Sequence, residues 1–480
     1  MQSESRRRLR PLVLEVLRRH DHDHRPTFGA QVLAYRSKRE RRLARSRAGD
    51  GEEIGRLAGA ERLECIALPG SQCDRSHEGR GIASFRPPMT TPHARSGPTS
   101  HSSPGPRSEG RSGPGPRSAL VIGGTGPTGP FIVNGLRERG YETTILHTGR
   151  HEVAEIPPDV EHIHVSPHDG DAFAAAIGSR EFDVTLAMYG RLRAIAEIMV
   201  GRTGQFISIG GVPAYRGYMD PDLWSPPGLP LPTREDAPLA DERADGKSYR
   251  VARTEEIVFE HHPHATHYRY PIVYGPRQPA PREWSIVRRV LDRRPHIVVA
   301  DGGLTLLSCG YVENLAHAVL LAVGHPEAAG QCFNVADDEC LTLSQIVDIV
   351  ASELDHEIEI VSMPWDVAVP ARPLVQQHRP THRVLDTSSL RQRLGYRDLV
   401  PARLAIARTA RWLAQNRPEP GGVEEMVLDD PFDYDAEDQL ISAWKSALAA
   451  LPSVEWRHTP GFGLTYSGPG ASRVRSDTRI

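Results

Sequence analysis

The chain has 480 residues, enough for about two or three domains. Its 58 basic and 61 acidic residues nearly cancel, to a formal net charge of −3, so bulk electrostatics point to neither a nucleic acid nor an anionic membrane. No apolar run reaches the about 18 residues a membrane-spanning helix needs, and the odd set of Cys65, Cys73, Cys309, Cys332 and Cys340, without metal-like or C-x-x-C spacing, fits a reducing cytoplasm.

Residues 1–117 are dominated by Arg, Ser, Gly and Pro. Such a composition cannot bury enough apolar surface to offset its chain entropy, so a disordered extension is expected. The alternative is one basic amphipathic helix over residues 6–19, with Leu9, Leu12, Leu14, Val16 and Leu17 on its apolar side, serving as an arm for a nucleic acid or a membrane surface. A signal peptide is not expected. Residues 12–17 are too short and too charged for its apolar region, and no small-residue cleavage site follows.

The first core element is the apolar run 119–122, which enters Gly123-Gly124-Thr125-Gly126-Pro127-Thr128-Gly129 and then a helical pattern with Phe131, Ile132 and Leu136. This reads as strand, phosphate loop, helix. Gly123 permits the sharp turn, Gly126 lets the backbone approach a pyrophosphate, and Gly129 lets helix and strand pack closely. Thr125, Pro127 and Thr128 complete the expected dinucleotide-binding loop, which presents the helix N-terminus to the phosphates. Residues 142–147 form a second strand. A carboxylate at its end would bond the ribose hydroxyls of NAD, whereas an arginine accommodates the extra phosphate of NADP. The sequence offers His147-Thr148-Gly149-Arg150-His151, with no carboxylate until Glu152, so NADP is favoured over NAD and Arg150 is its expected contact. The alternative is that Arg150 is merely solvated. Residues 160–165, Phe182–Met188 and 205–209 read as three more strands, with helices over 172–177 and 194–200. Alternation of this kind implies a parallel doubly wound sheet. Tyr189 and Arg191 close the fourth strand, and Gly210, Gly211 and Tyr215 follow the fifth. Open α/β sheets bind ligands at such strand ends, so these five residues form a candidate substrate set, with loop packing as the alternative.

These pieces resemble the extended short-chain dehydrogenase/reductases, in particular the NAD-dependent epimerase/dehydratase family. The resemblance rests on the glycine loop, on residues 206–211 and on Pro232-Thr233-Arg234-Glu235-Asp236-Ala237-Pro238. It continues with Tyr249-Arg250-Val251-Ala252-Arg253, with Arg269-Tyr270-Pro271-Ile272-Val273-Tyr274-Gly275-Pro276-Arg277 and with Tyr311-Val312-Glu313-Asn314-Leu315-Ala316. Together they span about residues 118–415. The resemblance implies a Tyr acid/base, a Lys four residues on and a Ser or Thr after the fifth strand. A phenol has a pKa of about 10, so a neighbouring cation must lower it for proton transfer near neutrality. Here Tyr249 stands at the Tyr position, but Arg253 replaces the Lys, and Gly210-Gly211 replaces the hydroxyl residues. The guanidinium keeps the charge without the ammonium geometry. Lys247 lies two residues before Tyr249 and points elsewhere on a helix, and Ser208 is expected to be a satisfied strand hydroxyl.

The remaining chain gives helices over residues 248–260, Trp284–Leu291, 312–323, 343–354, 391–394, 404–416 and 441–451. Strands are expected over 297–300, 304–308, 332–335 and 358–361. His261, His262, His264 and His267 straddle a helix end and the next strand, which scatters them over different faces, so no metal is expected there. The acidic run 429–438 lacks calcium-loop spacing and is expected to be solvated, and residues 461–471 read as a glycine-rich tail.

The expected architecture is α/β, a Rossmann-like doubly wound parallel sheet with a smaller C-terminal α/β substrate lobe. Its parts are a disordered extension (1–117), an NAD(P)-binding domain (118–275), a mainly substrate-binding lobe (276–417) and a C-terminal extension (418–480). Two functions follow. One is a cytoplasmic NAD(P)-dependent oxidoreductase or epimerase/dehydratase acting on a small hydroxylated or sugar-derived substrate, with Tyr249 and Arg253 catalytic. The other is a non-catalytic dinucleotide-binding protein that senses redox state or binds a partner such as RNA. Neither needs a membrane, a nucleic-acid partner is disfavoured by charge, and the resemblance is compatible with a homodimer.

Overall fold

A computed structural model describes residues 116–188, 190–378 and 380–458. The expected N-terminal extension (through residue 115), the glycine-rich tail and Tyr189 lie outside the described residues.

Strand β1 (Arg117–Ile122) explains its own composition. Ala119 and Val121 join one apolar cluster, with Ile132, Leu136 and Leu315, while Leu120 and Ile122 join another, with Phe173, Ile177 and Ile195. Both faces are covered, so the strand reads as a continuous apolar run and not as an alternation. Each fully buried aliphatic there contributes roughly 1.5–3 kcal/mol of transfer free energy.

Helix α1 (Gly129–Glu138) follows, then β2 (Tyr141–His147), β3 (Glu161–His164), α2 (Gly170–Ile177), β4 (Phe182–Met188), α3 (Leu192–Ile198) and β5 (Thr203–Gly211). Asp169 starts α2 by accepting the Ala172 N–H at 3.1 Å. Asp245 does the same for α4 (Gly246–His261), accepting from Lys247 at 2.9 Å and Ser248 at 3.1 Å. Then come β6 (Thr266–Tyr270), β7 (Ile272–Tyr274), α5 (Trp284–Leu291), β8 (His296–Ala300), β9 (Cys309–Tyr311), α6 (Val312–Ala322) and β10 (Gln331–Asn334). The main sheet runs β3-β2-β1-β4-β5-β6-β10, parallel throughout. It is a Rossmann-like doubly wound sheet, whose order reverses between β1 and β4.

The smaller lobe continues with α7 (Leu343–Glu353), β11 (Glu359–Met363) and α8 (Arg372–Val375); α9 (Ser388–Leu394) returns to the main sheet, packing Leu390 and Leu394 into the cluster of α1 and α6, before α10 (Ala402–Gln415), α11 (Val423–Leu428) and α12 (Tyr434–Ala449). Thr342 and Gln345 form a reciprocal capping box at the start of α7. β8 pairs in parallel with β11, and α5, α7 and α10 share one apolar core through Val287, Val347 and Ile406.

Two sequence expectations need correcting. Residues 304–308 are not a strand; Leu306 and Leu307 make only isolated bridges, to Thr342 and Arg383. Within 276–417, expected to be mainly the substrate lobe, β10 pairs with β6 in the main sheet and α6 lies in the same apolar cluster as α1. The acidic run is solvated only in part. Asp430 and Glu437 are buried and clamp the guanidinium of Arg289, itself only 1% exposed. Asp430 accepts from Nη1 at 2.7 Å and from Nη2 at 3.1 Å, and Glu437 accepts from Nε at 3.3 Å and also from Nη2, which the two acids share. Arg289 lies on α5, so this cluster fastens the segment 430–437 to the lobe. Among the described residues no helix is long and apolar enough to cross a membrane.

Candidate active site

The glycine loop lies where the strand order reverses. Gly123 takes a φ of +90°, and a Cβ there would come within 2.8 Å of the Met188 carbonyl oxygen at the end of β4. Its N–H donates to the Leu146 carbonyl of β2 at 2.9 Å, so the turn is tied to both neighbouring strands. Gly129 is the most crowded of the three, since a Cβ would run into the backbone carbonyl of Gly124. Gly126 is the reverse case. Its Cβ would meet only the Gly123 oxygen, at 3.6 Å, leaving an open face over the loop. No side chain caps α1, and Thr128 at its N-cap places its hydroxyl 3.8 Å from the Met188 sulfur. Thr125 and Pro127 are half-buried on the same loop. An uncapped helix N-terminus behind a backbone that a ligand can approach is the cradle a pyrophosphate requires.

Arg150 is exposed after β2 and makes no side-chain hydrogen bond to described residues, so its guanidinium is available to a ligand at that strand end. Arg191 is also exposed, in a left-handed conformation (φ 44°) at the start of α3. Tyr189, its partner in the candidate set, lies outside the described residues.

Tyr249 and Arg253 occupy consecutive turns of α4, which packs Ala252 against Ala214 beside the end of β5. Both side chains are half-buried. The Arg253 guanidinium is drawn toward Glu256 in an ion pair along the helix. Part of the charge that should act on the phenol is thereby offset.

The missing hydroxyl has a steric explanation. Ser208 is buried in β5 and shares a 2.8 Å hydrogen bond with Nδ1 of His267 on β6, which satisfies it within the sheet. The same imidazole fills the space above Gly210. A Cβ at Gly210 would lie 2.8 Å from His267 Cε1 and still nearer Nε2. Burial pushes the His267 pKa down to about 4, so the ring is neutral at physiological pH. A serine restored at residue 210 has no room. The Gly210→Ser variant is therefore expected to lose roughly 1–3 kcal/mol of stability by overpacking, measurable by urea unfolding. A variant as stable as the parent would show that the imidazole yields easily.

Tyr215, a member of the candidate substrate set, is buried, and its hydroxyl is engaged within the protein. Its hydroxyl donates to Asn334 Oδ1 at 2.7 Å and accepts from Arg269 at 2.6 Å, with the guanidinium also stacked 4.6 Å from its ring centroid. Arg269 is further held by Glu255 at 2.8 and 2.5 Å, and by the Glu235 carbonyl at 2.8 Å. Burial raises the Tyr215 pKa, removing it as an acid/base at neutral pH. This network joins the motifs at 232–238 and 269–277 to Glu255 of α4, two residues past the 249–253 motif, in one buried hub, a structural role that sequence motifs do not separate from a catalytic one. Gly211 is buried at the end of β5. The histidines near residue 264 go separate ways. His262 stacks on Phe206 with ring centroids 4.2 Å apart, His267 faces Ser208, and His264 is exposed.

No protein-family model matches the chain. It is 25% identical over 253 residues to the chloroplast stem-loop binding protein of 41 kDa b of Arabidopsis thaliana, covering 49% of this chain and 62% of that protein. It is 27% identical over 169 residues to the uncharacterized protein y4nL of Sinorhizobium fredii, covering 31% and 47%. The chain thus spans about half to three-fifths of the length of these relatives. Among solved structures it is similar to the UDP-glucose 4-epimerase of Thermotoga maritima with UDP-glucose, at a TM-score of 0.51 and 17% identity, over 63% of this chain and all of that one. The dTDP-glucose 4,6-dehydratase of Bacillus anthracis in complex with NAD gives a TM-score of 0.50 at 15% identity, over 63% and 97%. WbmG of Bordetella bronchiseptica with NAD gives 0.50 at 16%, over 65% and 97%. The chain therefore has the Rossmann-like fold of the NAD-dependent epimerases and dehydratases, the fold to which its motifs pointed.

Proposed function

We propose that the chain binds a nicotinamide dinucleotide on the Gly123–Gly129 loop and acts as an oxidoreductase or epimerase/dehydratase on a small hydroxylated, sugar-derived substrate. The observation that carries this reading is the open, uncapped loop at the reversal point between β1 and β4. Complexes of NAD with proteins of this fold support it. NADP is the favoured form, because Arg150 makes no side-chain hydrogen bond among the described residues at the end of β2 and the nearest carboxylate there in sequence, Glu152, faces histidines. A bound nicotinamide supplies hydride exchange with a substrate carbon. The chain's own part is to hold the proton that must move with it. Tyr249 exchanges that proton at its phenolic oxygen, and Arg253 biases the phenol toward ionisation from one helical turn away. Arg191, exposed at the start of α3, would meet an anionic part of the substrate.

A second reading, a dinucleotide-binding protein without turnover, is favoured by two observations. Arg253 is paired with Glu256, and His267 excludes a side chain at Gly210. The "stem-loop binding" in the name of one relative also suggests a binding role.

The two separate in one experiment. The full chain is titrated with NADPH and NADH by nicotinamide fluorescence, then screened for turnover of carbonyl and sugar-nucleotide substrates. Arg150→Ala is expected to weaken NADPH by about tenfold or more, the worth of one charged contact, and to spare NADH. Tyr249→Phe is expected to abolish turnover by at least about a hundredfold with cofactor affinity unchanged. Binding without turnover of any substrate in the parent would favour the second reading. No binding of either nucleotide at millimolar concentration would end both.

A further inference from the structure

The edge of the main sheet carries a cluster that the dinucleotide reading does not use. β3 has the sequence Glu161-His162-Ile163-His164, and alternate residues of a strand share a face. His147, the last residue of β2, is the register partner of His164 across the parallel pair. Three imidazoles therefore meet edge to edge, with ring centroids 4.9, 5.2 and 5.9 Å apart. The connection after β2 brings Glu152 back over them. Its carboxylate lies 3.2 Å from His162 Nδ1, 3.2 Å from His164 Nε2 and 3.6 Å from His147 Nε2. His147 Nε2 and His162 Nδ1 are 3.1 Å apart, and one ligand atom from each of the four residues lies within 4.8 Å of the others.

We propose that His147, Glu152, His162 and His164 form a binding site for a divalent transition metal of the zinc class. Tetrahedral ligands at zinc–nitrogen distances of about 2.0–2.1 Å sit about 3.3 Å from one another. The contacts of 3.1–3.6 Å among these residues bracket that separation. Three imidazoles and one carboxylate are the donor set that suits zinc, and too few oxygens for calcium or magnesium. Access is also provided. His147 is 4% exposed, whereas the side chains of His164 and Glu152 are more than half exposed, so an ion enters from solvent without opening the sheet.

The turn above the site lies close against it. Gly149 adopts a φ of +71°, and a Cβ there would come 3.2 Å from the His164 ring. Its N–H points at His147 Nδ1 at 3.3 Å. Coordination through Nε2 puts the ring proton on Nδ1, so metal binding replaces that long contact. The metal would fasten the connection carrying Arg150, His151 and Glu152 to the sheet edge.

The inference is independent of the cofactor reading and is tested without it. The full chain and a His162→Ala/His164→Ala double variant are stripped with EDTA, then titrated with Zn²⁺ against a chromophoric chelator and, separately, with Co²⁺ in the visible range. His20, His22 and His24 lie close together in sequence and supply background ligands, so the difference between the two proteins is the readout. The parent is expected to take up one more equivalent of Zn²⁺ and to show the intense tetrahedral Co²⁺ absorption that the variant lacks. Circular dichroism and melting of the stripped proteins compare their folding. The single variant Glu152→Gln, at an exposed position, supplies the same comparison if the double variant fails to fold, with affinity expected to fall at least about tenfold. Equal Zn²⁺ uptake and equal Co²⁺ spectra in folded parent and variant would overturn the proposal.

Discussion

Arg289→Ala is expected to destabilise the smaller lobe by about 3–5 kcal/mol, the cost of leaving buried charges without their partner. Asp430 and Glu437 are 7% and 5% exposed, and the guanidinium is the group between them. Removing it strands two carboxylates in a region whose apolar neighbours include Phe432, on whose ring Arg289 lies 5.1 Å from the centroid. The chain answers by releasing the segment 430–449 or by protonating one acid. Either response shows in urea unfolding, as a lower midpoint for the lobe, and in limited proteolysis, as early cleavage between α11 and α12. Glu437→Gln serves as the control, because Asp430 still receives two hydrogen bonds from the arginine. Its loss is expected to be a fraction of that of Arg289→Ala. Similar losses for the two variants would mean that the Glu437 charge, and not the bulk of the arginine, carries the cluster.

The second large effect is at the glycine loop, where two neighbouring substitutions are expected to fail in opposite ways. Gly129→Ala places a methyl group into the Gly124 carbonyl, and both partners are backbone. No side chain can turn aside, so β1 and α1 must separate. A loss of about 3 kcal/mol or more is expected, at or beyond the upper end for overpacking. Gly126→Ala meets nothing closer than 3.6 Å and does not have a positive φ. Its melting point is expected to stay within a few degrees of the parent. Its methyl group, however, projects over the open face of the loop, where a pyrophosphate must approach the backbone. Nicotinamide dinucleotide affinity is then expected to drop by about tenfold or more while the fold persists. A Gly126→Ala protein that binds as the parent does would remove the phosphate from this loop.

The parts of this fold legible in the sequence are those whose partners are near in sequence. The run 119–122, its three glycines and the apolar pattern of α1 declare strand, loop and helix locally, and the bounds of β2 and β4 agree with the reading to within one residue. What was not legible depends on distant pairing. Arg289 meets Asp430 across 141 residues, and an acidic stretch read alone looks solvated. Tyr215 sits after a strand as a substrate residue would, and only Arg269 and Asn334, brought in by β6 and β10, show that its hydroxyl is spoken for. Gly210 looks like the loss of a catalytic serine, while the structure shows a site already filled by His267. The alternating histidines of β3 were a local signal. Their meaning depended on His147, which the parallel pairing of β2 with β3 sets beside them.

The late arrival of β10 bears on how the protein can be made. Residues 118–275 hold the whole nucleotide-binding pattern, yet the strand that covers the open side of β6 is synthesised some 60 residues after it. Until Gln331–Asn334 leaves the ribosome, β6 is a bare edge with Tyr268 uncovered by Phe333, and Gln205 lacks the Ala322 carbonyl and Gly324 amide that it bridges. A nascent chain in that state offers a template for pairing with other strands. The glycine loop is thus translated long before the sheet that supports it closes, which waits until β7, α5, β8 and β9 have been drawn through.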